Sequence, residues 1–237
     1  VDIGNTMVLM YAKFGLIDLA QEIFNKLQDR DVVSWNTLIA GYVDQSCSEQ
    51  VFRCVEQMQI SGFPPDAITF VSLLKVCATV RDIDKGKFIH SQIERHGLST
   101  QNLIIGNALV DMYGKCGSVE ESMDVFDHSL ERTIEMWNAL MTTFSQTGCV
   151  NDIRKVFMEM QQDNIMPNHV TFSCVLAACS HSGSVDDASR AFLSINTFHG
   201  VPHTEDHYLC IVDLFTRTGE LEKAEAMVKN LPFQFDE

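Results

Sequence analysis

Four asparagines stand at matching places along this chain. Asn5 and Asn107 each follow a glycine, and Asn36 and Asn138 each follow one of its two tryptophans. A carboxamide offers two N–H donors and an acceptor oxygen. A series of them suits hydrogen-bonded recognition of a polar edge rather than bond-breaking. Short polar residues follow in a second series, Asp31, Asp66, Thr133 and Asn168. Residues arranged for catalysis are missing by comparison: neither a Walker glycine loop nor a nucleophile elbow is present. His203-Thr204-Glu205 matches the H-x-E that opens a zinc deaminase site, but no P-C-x-x-C follows it. The spacing of Cys174, Cys179 and His181 is no zinc pattern. The expectation is a binding protein with no catalytic residue, metal site or cofactor in this segment.

Composition narrows the class. The chain has 237 residues, 46% of them hydrophobic, which is ample for a folded core. With 17 basic against 32 acidic residues it is no general polyanion binder, so any nucleic acid must meet a local basic track. Its five prolines and the lack of period-two alternation argue for helices over strands. Eight cysteines are scattered singly without a C-x-x-C pair, the pattern of reduced core thiols. The sequence has no apolar run of membrane-spanning length and opens on no secretory leader.

The elements that would position the asparagines come from a repeat. Trp35-Asn36 and Trp137-Asn138 lie 102 residues apart, and the same shift superposes Met10-Tyr11 on Met112-Tyr113, Phe24 on Phe126, Pro65 on Pro167 and Cys77 on Cys179. Each cycle divides into three, because an aromatic or cysteine recurs at the eleventh place: Tyr11, Tyr42, Cys77, Tyr113, Phe144, Cys179 and Phe215. The units are 1–31, 32–66, 67–102, 103–133, 134–168, 169–204 and 205–236. Trp35, Leu38, Ile39 and Tyr42 share one helical face, and Ile153, Val156, Phe157 and Met160 form a second-helix stripe. Gly15, Gly117, Gly148, Gly183 and Gly219 supply the turn between helices, from which Ser46 and Arg81 depart. Helix pairs of this length bury both apolar faces only by stacking. The expected fold is therefore all-α: a right-handed α-solenoid superhelix of seven helix-turn-helix units with a concave binding side.

The segments VVSWNTLIAGY, AITFVSLLKVCA and IIGNALVDMYGKCGSVEESMDVF, in units of 31, 35 and 36 residues, resemble the pentatricopeptide repeat family. The alternation of short, standard and long units is similar to its plant PLS subclass, of RNA-editing-factor type. The last unit resembles the final short repeat that precedes the family's extension motifs, so both ends of the chain are expected to be cuts inside a longer protein. A tetratricopeptide-like protein-binding scaffold is the alternative, but its units would keep one length near 34 residues.

The resemblance implies a single-stranded RNA partner, one base per repeat, read by the fifth and last residues of each unit. Those pairs are Asn5 with Asp31, Asn36 with Asp66, Asn107 with Thr133, Asn138 with Asn168, Ser173 with Thr204, and Leu209 with Asp236; Asn107 with Thr133 departs from the usual pairs and implies a weakly read pyrimidine, and the pairs at Ser173 and Leu209, like Val71 with Asn102, give no assignable base. It implies uracil at the first two pairs and either pyrimidine at Asn138–Asn168. The fifth residue lies about 100° round the helix from its packing neighbour and is expected to face the groove. An Asn there could instead cap a helix start, but recurrence beside a fixed packing residue favours recognition. The second residue of a repeat wedges beside the base, a role open to Val33, Ile68, Ile104 and Val170 but not to Asp2, Glu135 or Asp206. Lys13, Lys115 and Arg217, at the thirteenth place of the short repeats, form a candidate phosphate ladder of modest salt dependence. The resemblance further implies an organellar transcript, in mitochondrion or chloroplast. It also implies editing cofactor proteins as partners of the long repeats, 67–102 and 169–204, and a deaminase either on a C-terminal extension or supplied in trans.

Overall fold

The apolar stripes read from the sequence become the buried faces of paired helices. The structure is a computed structural model, described here for residues 2–98, 102–147 and 150–229. Among these residues it contains fourteen α-helices and no strand. They fall into two compact units, Val1–Glu131 and Arg132–Glu237.

The first unit holds α1 (Asp2–Lys13), α2 (Ile17–Lys26), α3 (Val32–Asp44), α4 (Ser48–Ile60), α5 (Ala67–Val80), α6 (Ile83–Arg95), α7 (Leu103–Lys115) and α8 (Val119–Asp127). The second holds α9 (Ile134–Thr147), α10 (Val150–Gln162), α11 (His169–Ser182), α12 (Val185–Thr197), α13 (Glu205–Arg217) and α14 (Leu221–Lys229). Odd-numbered helices pack on one another, α1 on α3, α3 on α5 and α5 on α7, and in the second unit α9 on α11 and α11 on α13. Each even-numbered helix packs on its partner. Within each unit the first helices of the pairs thus form one layer and the second helices another.

Burial follows the predicted spacing. α3 buries Trp35, Leu38, Ile39 and Tyr42, and α10 buries Ile153, Val156 and Met160. Each such side chain contributes about 1.5–3 kcal/mol. Close approach matters as well, because a Cβ on Gly41 of α3 would lie 2.7 Å from the Ala12 Cβ of α1.

The turns are more uniform than their sequences. The eleventh-place carbonyl accepts from the N–H five residues on: Leu16 to Tyr11, Cys47 to Tyr42, Asp82 to Cys77, Ser118 to Tyr113, Ser184 to Cys179 and Glu220 to Phe215, at 2.8–3.0 Å. These are the six-to-one bonds of a Schellman helix end, which needs a left-handed residue just before the donor. Gly15, Gly117, Gly183 and Gly219 supply it, and so do Ser46 and Arg81, with φ of 56° and 55°. The two departures from glycine are therefore departures of residue type only. Gly148 lies outside the described residues. The cysteines described are free, and burial pushes the thiols of Cys54, Cys77, Cys179 and Cys210 up to about 11.

Candidate functional site

The last residue of each of the first six repeats immediately precedes the next helix. Asp31, Asp66 and Asn168 cap α3, α5 and α11 by accepting the N–H of Ser34, Thr69 and Thr171 at 2.7, 2.9 and 3.1 Å. Asn102 accepts from Ile104 N–H at 3.2 Å, and Thr133 from Met136 N–H at 3.3 Å. The caps are thus these last-place residues, and not the fifth-place asparagines.

Those asparagines do not stand clear of the core, as the helical angle alone suggested. Asn5, Asn36 and Asn138 are only 9, 7 and 8% exposed. Asn36 and Asn138 are satisfied by polar groups at the junction with the following repeat. Asn36 Nδ2 donates to Asp66 Oδ1 and Oδ2 at 3.0 and 3.1 Å, while its Oδ1 accepts the Thr69 hydroxyl at 2.7 Å. A carboxylate only accepts, so the carboxamide has one allowed orientation. Asn138 repeats the arrangement, donating to Asn168 Oδ1 at 3.2 Å and accepting the Thr171 hydroxyl at 2.7 Å. Because Asn168 Oδ1 also caps Thr171, the Asn168 amide nitrogen is turned away from both partners. Where the first copy has an acceptor-only carboxylate, the second has an amide that also carries a donor.

The first junction is looser. The Ser34 hydroxyl donates to Asp31 at 2.8 Å, and Asn5 Oδ1 is buried without a partner among the described residues. The Ser34 backbone N–H and hydroxyl, with a further bond from Asn5, hold the Asp31 carboxyl below the usual carboxylate range.

Exposed apolar side chains flank these amides. Val33, Ile68, Ile104 and Val170, each second in its first helix, are 60, 54, 48 and 38% exposed. Glu135 and Asp206 occupy that place in α9 and α13 and are also exposed.

Other expectations fare differently. Ser173 donates to His169 O of its own helix at 3.1 Å, and Leu209 is exposed. Asn107 lies in the first compact unit and Thr133 in the second. Asp236 lies outside the described residues. Two of the three candidate ladder cations sit in partly exposed intrahelical ion pairs: Lys115 meets Asp111 at 2.8 Å and Arg217 meets Asp213 at 3.0 Å. Lys13 is exposed and pairs with no described residue. His203 stacks on Phe192 at 4.2 Å between ring centroids. His90 bonds Tyr113 through Nδ1 at 2.9 Å and leaves Nε2 buried without a partner among the described residues.

Sequence models described as "PPR repeat family" match residues 30–79 and 132–181, and "PPR repeat" matches 5–32, 107–134 and 170–196, together more than half of the chain. The chain belongs to the pentatricopeptide repeat family. A chloroplastic pentatricopeptide repeat-containing protein of Arabidopsis thaliana is 36% identical over 245 residues, covering 99% of this chain and 27% of that protein. A mitochondrial one from the same plant is 34% identical over 227 residues, covering 96% of this chain and 35% of the relative. The chain thus spans about a third of the length of these relatives. Among solved structures, the pentatricopeptide repeat protein PPR10 from maize shares the fold, with a TM-score of 0.80 and 16% identity over 96% of this chain and 33% of PPR10. PPR10 in complex with an 18-nucleotide psaJ RNA element gives 0.79, at the same identity.

In these pentatricopeptide repeats the polar link has a third member that sequence reasoning missed, the third residue of the following repeat. Ser34, Thr69 and Thr171 fill the place with hydroxyls, and His207 fills it in the last repeat. The buried His207 accepts the Thr204 N–H through Nδ1 at 3.2 Å and donates from Nε2 to His169 O at 2.8 Å. The available signal was the capping-box spacing D-x-x-S, D-x-x-T and N-x-x-T at the repeat junctions.

Proposed function

We propose that this chain is a sequence-specific single-stranded RNA-binding array in which each repeat addresses about one base. The observation that carries the reading is the recurrence of a buried, oriented Asn with a last-place Asp or Asn, beside exposed Val33, Ile68 and Val170. Family membership and the RNA complex of PPR10 support it.

Chemistry matches the two copies to different bases. Uracil carries an N3–H donor, which an acceptor-only carboxylate such as Asp66 favours, whereas cytosine carries an N3 acceptor, which the Asn168 amide accommodates. Asn5–Asp31 and Asn36–Asp66 therefore select U, and Asn138–Asn168 takes C or U. Val33, Ile68, Ile104 and Val170 hold bases through apolar contact with their faces. Ser173–Thr204 and Leu209–Asp236 define no base. Lys13 is the main phosphate contact, with Lys115 and Arg217 shared with their own acids.

By its unit lengths the array belongs to an organellar C-to-U editing specificity factor that positions a cytidine just beyond its last repeat. This segment is non-catalytic in that role, and the long repeats 67–102 and 169–204 dock editing cofactor proteins. The test is selection of the 237-residue chain against randomised single-stranded RNA, followed by affinities for RNAs varied one base at a time at fixed salt. A U preference that moves toward G in Asn36→Thr supports the base reading. Absence of any base preference, with tight binding to a protein partner instead, returns the scaffold alternative. The editing role predicts that organelles lacking the protein leave one or a few cytidines unedited, as read by transcript sequencing.

A further inference from the structure

We infer that the third-place hydroxyls of the following repeats, Thr69 and Thr171, are positioning residues that set base specificity by fixing which edge of Asn36 and Asn138 faces the RNA. This inference rests on the recognition reading above and assigns it a residue in each pair beyond the two that meet the base.

A carboxamide is nearly symmetric in shape, and a half-turn about its last bond exchanges donor for acceptor. An Asn that turned freely would present both edges and discriminate poorly. Thr69 and Thr171 are fully buried, so their hydroxyls answer to protein groups alone. Each accepts the N–H of the helix cap, Asp66 at 3.2 Å and Asn168 at 3.1 Å. The hydroxyl proton then points to the Asn oxygen, at 2.7 Å in both copies. That bond is shorter than the alternatives to the caps, 3.0 Å to Asp66 and 3.2 Å to Asn168. Oδ1 is thereby held inward and Nδ2 toward the last-place residue.

The first junction is the natural contrast. Ser34 stands at the same place without the branching methyl that restricts the χ1 of threonine. Its hydroxyl goes to Asp31, and Asn5 Oδ1 is left without a partner. The Asn there has a last-place partner but lacks the second anchor.

The experiment compares the chain with its Thr69→Val and Thr171→Val variants, which keep side-chain shape and remove the hydroxyl. The probes are single-stranded RNAs chosen from a randomised pool, with the base opposite repeat two or repeat five varied. The readout is the ratio of affinities for preferred over other bases, measured beside the melting temperature. Each variant is expected to lower the ratio at its own repeat about five-fold, the scale of one hydrogen bond, and to leave the ratio at the other repeat unchanged. A role in folding alone would lower affinity for all bases together and leave the ratio intact. That result in both variants, with the parent chain discriminating, overturns the inference alone. A parent chain that shows no base preference anywhere overturns the recognition reading and this inference together.

Discussion

The Asn36 and Asn138 sites are separated by one full cycle of the repeat and differ chiefly in one functional group. In both, a threonine hydroxyl stands 2.7 Å from the Asn oxygen, and a last-place side chain takes the Asn N–H while capping a helix. Asp66 brings a charged, acceptor-only carboxylate where Asn168 brings a neutral amide. The geometry around the Asn is thus held constant while the polarity beside it changes. The threonine and the helix start hold the shared frame, and the last-place residue writes the difference.

The largest way to break this symmetry is to remove the asparagines. Asn36→Ala strips a donor from a carboxylate and should cost about 1.5–3 kcal/mol of stability. Asn138→Ala strips one from a neutral amide and should cost about 0.5–1.5 kcal/mol. Denaturant unfolding reads the gap, and equal losses would mean that the Asp66 charge adds nothing. Next in size is exchange of the differing group. Asp66→Asn should reduce the preference for U over C opposite repeat two about ten-fold, and Asn168→Asp should create that preference opposite repeat five. Each pair is expected to discriminate by about 1–3 kcal/mol.

A smaller gain is expected where the frame is incomplete. Ser34→Thr should bring Asn5 under the same control as Asn36 and raise base selectivity opposite repeat one about two- to three-fold, as read by competition between RNAs. Smallest is the phosphate side, which should act on both copies alike. Lys13→Ala should reduce the slope of log affinity against log salt by about 0.7, leaving both base ratios untouched. Lys115→Ala should change it less, because Asp111 already offsets that charge.

What the sequence made legible was whatever repeats with a period. Helix pairs, their buried stripes and the Trp35 and Trp137 register follow from spacing alone, since a stack of hairpins has few ways to hide those faces. The turns at Ser46 and Arg81 were less legible, because the Schellman bonds impose a left-handed residue even where no glycine advertises it. Thr69 and Thr171 escaped notice for a different reason. Within its own helix each looks like an ordinary capping-box partner, and the bond to an Asn some 33 residues earlier exists only after stacking. The pairing of Lys115 and Arg217 with acids four residues earlier was readable from spacing, yet the thirteenth-place regularity drew attention to the cations alone. The division into two compact units at Glu131 and Arg132 left no signature in the repeat lengths.

The double duty of the last-place residue has an evolutionary consequence. Side chains that begin a helix well are a short list, led by Asn, Asp, Ser and Thr. Asp31, Asp66, Asn102, Thr133 and Asn168 all come from it. If the last-place residue chooses the base as proposed above, the letters available for that choice are letters the fold already accepts at that place. A lineage can drift from one to another by single substitutions without passing through an unfolded intermediate, so new target sequences lie a short mutational walk away.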